Sequence, residues 1–396
     1  MTSGEVTRFV TKVASRAIRR LPAVYADDLL MPWFEQTMKL LPPATLFDAH
    51  THIGVNDPDG FKCTAEELLD TLAPAGARAV VFPMQEPDGY AAANDHVLAA
   101  AADSDDRLVA FCRVDPRAGD DPVGEVRRCL AAGARGIKLH PRAERFGLDE
   151  PVVRELVALA DEERLPILLH AGRGIPALGA HVLEYAHEFP RARFILAHCA
   201  VSDLAWIWQR IHEYPNVFFD TSWFSATDQL AVYSHIPPGQ ILLATDIPFG
   251  TPQLAVIGSL RCALQAGLTA AQLESVMGGQ IARIVAREET PDLGPAVGDG
   301  RIRRDPLLAR VEYFANGAFA TAIAGGDDAE FIDLARLASL VGESAPQAAL
   351  AESIRELLAL ALTIPMGASL TERFAHIHLL VTAAAIAATP DVPVVS

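Results

Sequence analysis

The chain has 396 residues, of which 51% are hydrophobic and 21% charged, and its formal net charge is −17. That length exceeds one ordinary domain, and that composition supports a sizeable core, which argues against global disorder. So acidic a balance also argues against a nucleic-acid face, which needs clustered Lys and Arg. Five cysteines (Cys63, Cys112, Cys129, Cys199, Cys262) show no CxxC spacing, which disfavours a disulfide framework and a cysteine zinc knuckle.

Residues 1–22 read as a basic amphipathic helix with Val6, Phe9, Val10, Val13, Ala17 and Leu21 at helical spacing, ended by Pro22. Its arginines and Lys12 interrupt every apolar run, so it is no signal peptide, and packing on the main domain is favoured over a membrane surface. The longest apolar stretch, Leu379 to Ala388, is too short to span a bilayer. A soluble, cytoplasmic protein is expected, without membrane or nucleic-acid partners, and compatible with a homo-oligomer. A second helix, Leu29 to Leu41, completes an N-terminal helical extension over 1–43.

From 44 to 288 apolar runs alternate with helical patterns. Eight runs read as buried strands: Leu46–His52, Ala79–Met84, Leu108–Val114, Gly136–His140, Pro166–His170, Phe194–His198, Asn216–Ser222 and Ile241–Asp246. Between them fall helical patterns such as Ala65–Leu72, Val123–Ala132, Val152–Glu163 and Ala180–Glu188. Eight β/α units over this span match the ~250 residues of a (β/α)₈ TIM barrel. A doubly wound open sheet is the alternative, weakened because no G-x-G-x-x-G or P-loop follows a strand. Residues 289–306 read as a linker, and 307–396 as a C-terminal all-helical appendage with helices at Leu307–Ile323, Ala329–Val341, Ala348–Leu362 and Leu370–Ala388.

The polar residues that close the strands carry the chemistry. The first strand, Phe-Asp-Ala-His-Thr-His, aims His50 and His52 at one point, since residues two apart share a face, while Ala49 and Thr51 face away. Later strands end in Lys138 and His140, His170, His198 and Asp246. Such residues belong to the C-terminal face of a barrel, where catalytic sites sit. The physical reading is a mononuclear centre in which His50, His52 and His170 donate nitrogens and Asp246 an oxygen. The ion expected is zinc, with manganese or iron as alternatives, and it lowers the pKa of bound water to about 7. Asp246 would accept a proton, and His198, close but not ligating, would polarise the substrate or relay protons.

The ordered set H-x-H, G-I-K-L-H-P, L-H-A-G, L-A-H and T-D-x-P resembles the amidohydrolase superfamily, specifically its amidohydrolase-related branch, over roughly residues 44–287. The resemblance implies a metal-dependent barrel that hydrolyses C–N or C–O bonds or, in some members, decarboxylates aromatic acids. It implies His50, His52, His170 and Asp246 as metal ligands and His198 as the catalytic histidine. In binuclear members a strand-four lysine is carboxylated and bridges two metals. Lys138 is therefore read as an anion-binding point charge or, if the site is binuclear, as that bridge. Gln280 stands where the family often shows asparagine, a departure expected to affect packing only.

His140, Arg113, Arg142 and Arg173 are further candidates for holding the substrate, and the arginines point to an anionic group on it; Asp220 and Trp223 are candidates for lining the pocket. A second H-x-H, His376 and His378, falls in a helix, where residues two apart diverge by about 200°, so it is rejected as a chelate. His181 and His187 are expected on a solvent-facing helix surface. Cys199 is expected to point away from His198 along the strand, and no G-x-S-x-G elbow occurs. Three functions stay open on the sequence: hydrolysis of an amide, lactone or related bond in a small molecule, decarboxylation of a small aromatic acid, and an inactive barrel used as a binding module.

Overall fold

Phe47–Ile53 (β1), which carries the His-x-His pair, is buried at every position, as a parallel strand covered on both faces requires. In the computed structural model, residues 25–394 are described except for 118, 120, 173, 175 and 176, so the basic segment 1–22 lies outside the described residues. Two compact units are present: Lys39–Arg303, and a second that joins the chain up to Met38 with Arg304 onward.

In the first unit β1 pairs in parallel with Arg78–Pro83 (β2), and β2 with Leu108–Ala110 (β3), which resumes at Cys112–Arg113. Phe111 is the hinge of this interruption. Its N–H donates to Val81 O at 2.9 Å, and the next N–H, from Cys112, turns to Gly136 O at 3.0 Å. The resumed strand pairs with Ile137–Leu139 (β4), followed in order by Pro166–Leu169 (β5), Arg193–Leu196 (β6), Val217–Asp220 (β7) and Ile241–Leu242 (β8), all parallel. Backbone bonds between β1 and the chain after β8 close the ring: Ala49 N to Leu243 O (2.9 Å), Asp246 N to His50 O (2.8 Å) and His52 N to Ile247 O (2.7 Å). This is the (β/α)₈ barrel.

Helices alternate with the strands, and several are started by local chemistry. Thr64 and Glu67 form a capping box before Ala65–Leu72, and Asp121 accepts from Gly124 N to start Pro122–Ala131. Inside the ring Phe47, Ala49, Val80, Phe82, Phe111, Leu168, Ile195, Phe218 and Leu242 form one cluster, closed off by Ile281, Ile284 and Val285 of the helix Gln280–Val285. Gly278 allows that closure, since a Cβ there would lie 2.2 Å from Thr45 O. Gln280 is buried and donates to Gly239 O, so its amide serves packing.

The strands are shorter than the apolar runs suggest. They stop at Leu139, Leu169, Leu196 and Leu242, so His140, His170, His198 and Asp246 stand in the turns beyond. A second difference is in β1. Asp48 and Thr51 pair with Ala79 and Val81, three residues against two, so the strand carries one extra residue as a β-bulge. Ala49 therefore does not face away from the interior: Phe47 and Ala49 pack in the core below the bulge. Above it the rings of His50 and His52 reach the same Phe82 ring, at 5.2 and 4.5 Å.

The second unit is all helical: Asp27–Met38, Pro306–Ile323, Ala329–Ala338, Ala348–Ala361 and Leu370–Ala388. The last helix is buried from Arg373 to Ala388 and packs on Pro306–Ile323 and Ala348–Ala361. Trp33 Nε1 donates to Ser353 Oγ at 2.6 Å, tying the N-terminal helix into this bundle. Among the described residues no helix is long and apolar enough to cross a membrane.

Candidate functional site

Three acceptor atoms converge above the bulge. His50 Nε2 lies 3.2 Å from His52 Nε2 and 3.0 Å from Asp246 Oδ1, and His52 Nε2 lies 3.1 Å from the same oxygen. The far side of each ring sets its tautomer. His50 Nδ1 is 2.8 Å from Asp220 Oδ2 and His52 Nδ1 is 3.5 Å from Pro83 O, so both Nδ1 atoms carry the proton and donate outward. Both Nε2 atoms then present lone pairs to each other and to a carboxylate. Ligands 2.0–2.1 Å from one cation stand about 3.0 Å apart at a right angle and about 3.4 Å apart at the tetrahedral angle. The triangle has that size, and its charge calls for a cation. The donor set fits a divalent metal.

A second chain of tautomers leads to His170. His198 Nδ1 donates to Ser222 O at 2.9 Å, so its Nε2, 3.0 Å from His170 Nδ1, accepts a proton from that ring. This leaves His170 Nε2 as a bare lone pair, buried and without a hydrogen-bond partner among the described residues. An orphaned imidazole nitrogen of this kind suits a ligand. Nitrogen atoms of His50 and His198 and an oxygen of Asp246 also lie within 4.8 Å of one another, so His198 adjoins the centre. His170 and His198 approach this closely because residue 172 is glycine: a Cβ there would lie 2.6 Å from His198 Cδ2. The turn that presents His198 is left-handed at His198, Cys199 and Ala200 (φ 58°, 57° and 48°), a conformation that non-glycine residues adopt at a cost and that gathers at functional sites.

The charges follow from burial and neighbours. Burial pushes the Asp246 carboxyl up, but the surrounding histidines, His50 above all, outweigh this and hold it well below the usual range. Asp220 is likewise raised by burial and drawn down, by His50 above all, to about 2. Burial lowers His52 to about 3, and it lowers His140, His170 and His198 too, so these imidazoles are neutral as ligands or hydrogen-bonding groups must be. At His50 burial and Lys138 act downward, yet Asp246 and Asp220 prevail and raise it: the two carboxylates favour positive charge here. Lys138, fully buried and 3.4 Å from His50 Nε2, is lowered to about 7 by burial and by Arg113.

The other sequence candidates divide. His140 stacks on His170 (ring centroids 3.9 Å apart, planes 11° apart) and accepts from Ala143 N, so it adjoins the centre. Trp223 lies with its ring 6.2 Å from His198 and its Nε1 donating to Asp228. Asp220 is buried behind His50, with its second oxygen accepting from His198 N and Ser222 N. Arg113 is buried in an ion pair with Glu144 at 2.7 Å, and Glu144 with Tyr90 helps to line a separate cavity of about 820 Å³. The Arg142 side chain is exposed and its guanidinium lies against Gly174; Arg173 lies outside the described residues.

His181 and His187 are exposed on the helix Gly179–Glu188, whereas His376 and His378 reach different partners, Asp328 at 2.6 Å and the Tyr25 ring. Cys199 does not lie on a strand as expected; it sits buried in the left-handed turn after β6. Asp48, Thr245 and Ser222 escaped the sequence reading. Asp48 accepts from His50 N and Thr245 N, and burial raises it to about 7. A carboxylate two residues before a candidate ligand was the available signal.

A family model described as Amidohydrolase matches residues 47–286, well over half of the chain. No curated protein matches the sequence. Among solved structures, 2,6-dihydroxybenzoate decarboxylase from Rhizobium is similar at 15% identity and a TM-score of 0.51, covering 62% of this chain and 99% of its own. A putative amidohydrolase from Staphylococcus aureus is similar at 16% identity and a TM-score of 0.50, covering 61% and 99%. A 5-carboxyvanillate decarboxylase from Sphingomonas paucimobilis gives 15% identity, a TM-score of 0.50 and coverage of 62% and 99%. At these identities the likeness concerns the fold. The barrel, the ordered motifs and the converging histidines and Asp246 agree with the sequence match, and the chain belongs to the amidohydrolase family.

Proposed function

We propose that this chain is a metal-dependent hydrolase that cleaves a C–N or C–O bond, in an amide, lactone or similar group, of a small anionic molecule. The observation that carries this reading is the acceptor triangle of His50 Nε2, His52 Nε2 and Asp246 Oδ1, with sides of 3.0–3.2 Å and no proton assigned between its corners. Together with His170 these residues would hold one divalent ion, zinc first, with manganese or iron as alternatives. Bound there, such an ion supplies Lewis acidity and lowers the pKa of water.

The chain's own groups do the rest. Asp246, held ionised, takes a proton at its second oxygen, Oδ2, which lies 4.0 Å from His198 Nδ1. His198 is fixed by Ser222 O and by its own N–H on Asp220, so it meets the reacting group in one orientation. Lys138 and His140 stand beside the centre, where an anionic or polar substrate group would bind. Decarboxylation of a small aromatic acid is the second reading, favoured by the aromatic rings flanking the site: Trp223 lies 6.2 Å from His198 and Phe249 6.0 Å from His52.

Elemental analysis of the purified protein, paired with a panel of small amides, lactones and aromatic carboxylates, tests both. About one divalent ion per chain, lost in His170→Ala, with water consumed on turnover, supports hydrolysis. Release of carbon dioxide without water uptake replaces it with the second reading. A protein that binds no divalent ion under any loading condition sinks both.

A further inference from the structure

The bulge in β1 decides where the two histidines point, and one side chain holds it. Because the bulge adds a residue between Asp48 and Thr51, His50 and His52 turn to the interior that Phe47 and Ala49 occupy lower down. Asp48 Oδ1 accepts from the N–H of His50, two residues on, at 3.0 Å, an Asx-type bond that folds the extra residue into place. The same oxygen accepts from Thr245 N at 3.0 Å, and Asp48 Oδ2 accepts from Thr245 Oγ1. Thr245 Oγ1 in turn accepts from Ile247 N at 3.1 Å. These bonds bracket Asp246, which sits between Thr245 and Ile247 at φ 63°. They also stand where the barrel closes and β8 has already ended at Leu242, so the ladder there is sparse. Asp48 is 2% exposed and Thr245 5% exposed, so water does not serve these donors.

We propose that Asp48 and Thr245 form a clasp that sets the geometry of the metal centre: it holds the bulge that aims His50 and His52, and it fixes the turn that presents Asp246. Asp48 is thus a positioning residue, acting through the ligands without touching the ion. The proposal rests on the metal-centre reading given above.

The test uses the full chain, stripped of metal with a chelator, and reads zinc affinity by competition with a chromogenic chelator beside the melting temperature of the metal-free protein. Thr245→Val keeps shape and removes the hydroxyl link. Asp48→Asn keeps an oxygen for the two N–H groups but confronts Thr245 Oγ1 with a donor. Both variants are expected to melt within a few degrees of the wild type and to bind zinc roughly 10- to 100-fold more weakly, the range for residues that orient ligands. Asp48→Ala is expected to lose more, and if it fails to fold the other two variants carry the test. Wild-type zinc affinity in both Thr245→Val and Asp48→Asn, alongside a loss in His170→Ala, overturns the clasp and leaves the metal centre standing. No zinc binding by the wild type overturns the metal reading and the clasp with it.

Discussion

Asp220 shows how one buried carboxylate sets two candidate functional histidines. Its Oδ2 takes the Nδ1 proton of His50, and its Oδ1 takes the backbone N–H groups of His198 and Ser222. Asp220→Asn keeps the second job, since the amide oxygen can still accept there, but it places an N–H₂ group against His50 Nδ1. His50 must then carry its proton on Nε2, where it no longer offers a lone pair to the centre. The variant is expected to fold normally and to bind zinc about 10- to 100-fold more weakly, which isothermal titration of the metal-free protein will measure. Unchanged affinity would remove Asp220 from the centre. At this scale the sequence revealed the histidines, because a histidine closing an apolar strand has little else to do. It placed Asp220 only in the lining of the pocket, because which face of the ring a carboxylate meets depends on the ring closing so that β7 stands one strand away from β1.

Elements position these residues through side chains as well as ladders. Asn94, on the helix Ala91–Ala102, accepts from Arg113 N at 2.9 Å and donates to Arg113 O at 3.0 Å, so it pins the end of β3. Glu125 of the helix Pro122–Ala131 holds Asn94 at 2.9 Å and is itself gripped by Arg128 at 2.7 Å. Its bond to Arg128 lowers Glu125 from 4.5 to about 2. A carboxyl depressed in the folded state stabilises the fold above its unfolded value, and that contribution fades as pH falls from about 4.5 towards 2. Urea unfolding of the wild type and of Glu125→Gln therefore should show a stability gap that is constant above pH 5 and narrows at pH 3. A gap that widens on acidification would contradict the assignment. No local pattern hints at this tie, which joins residues that meet only when two helices flank the same strand. The short strands had a similar cause: apolar runs continue past the last ladder bond because the barrel mouth is also buried.

For the whole molecule, binding and stability are linked. The proposed metal, held by candidate ligands on β1 and in the turns after β5 and β8, would clamp the barrel across its closure and would bind only when those elements are assembled. Free zinc at 100 times its dissociation constant is expected to add about 2.7 kcal/mol to the stability of the barrel unit. Chelation should accordingly lower the melting temperature measured by scanning calorimetry, and readdition of metal should restore it. A melting profile indifferent to chelator and zinc would speak against a structural stake of the ion in the fold. The helical unit has a core of its own, built on Leu370–Ala388, and carries none of the candidate ligands.

The sequence by itself determined the barrel, the order of its strands and the identity of the histidines and Asp246 that converge, because each strand of a parallel barrel is a continuous apolar run and its first polar residue marks the catalytic end. It could not determine direction. Strict alternation along β1 predicts that Ala49 faces away from His50 and His52, and only the bulge, held by Asp48 against Thr245 nearly two hundred residues on, lets core and histidines share one interior. Tautomers, the approach of His198 to the centre and the burial of Arg113 against Glu144 were likewise tertiary decisions. Each depends on a partner brought near by folding, and local pattern holds no record of such a partner.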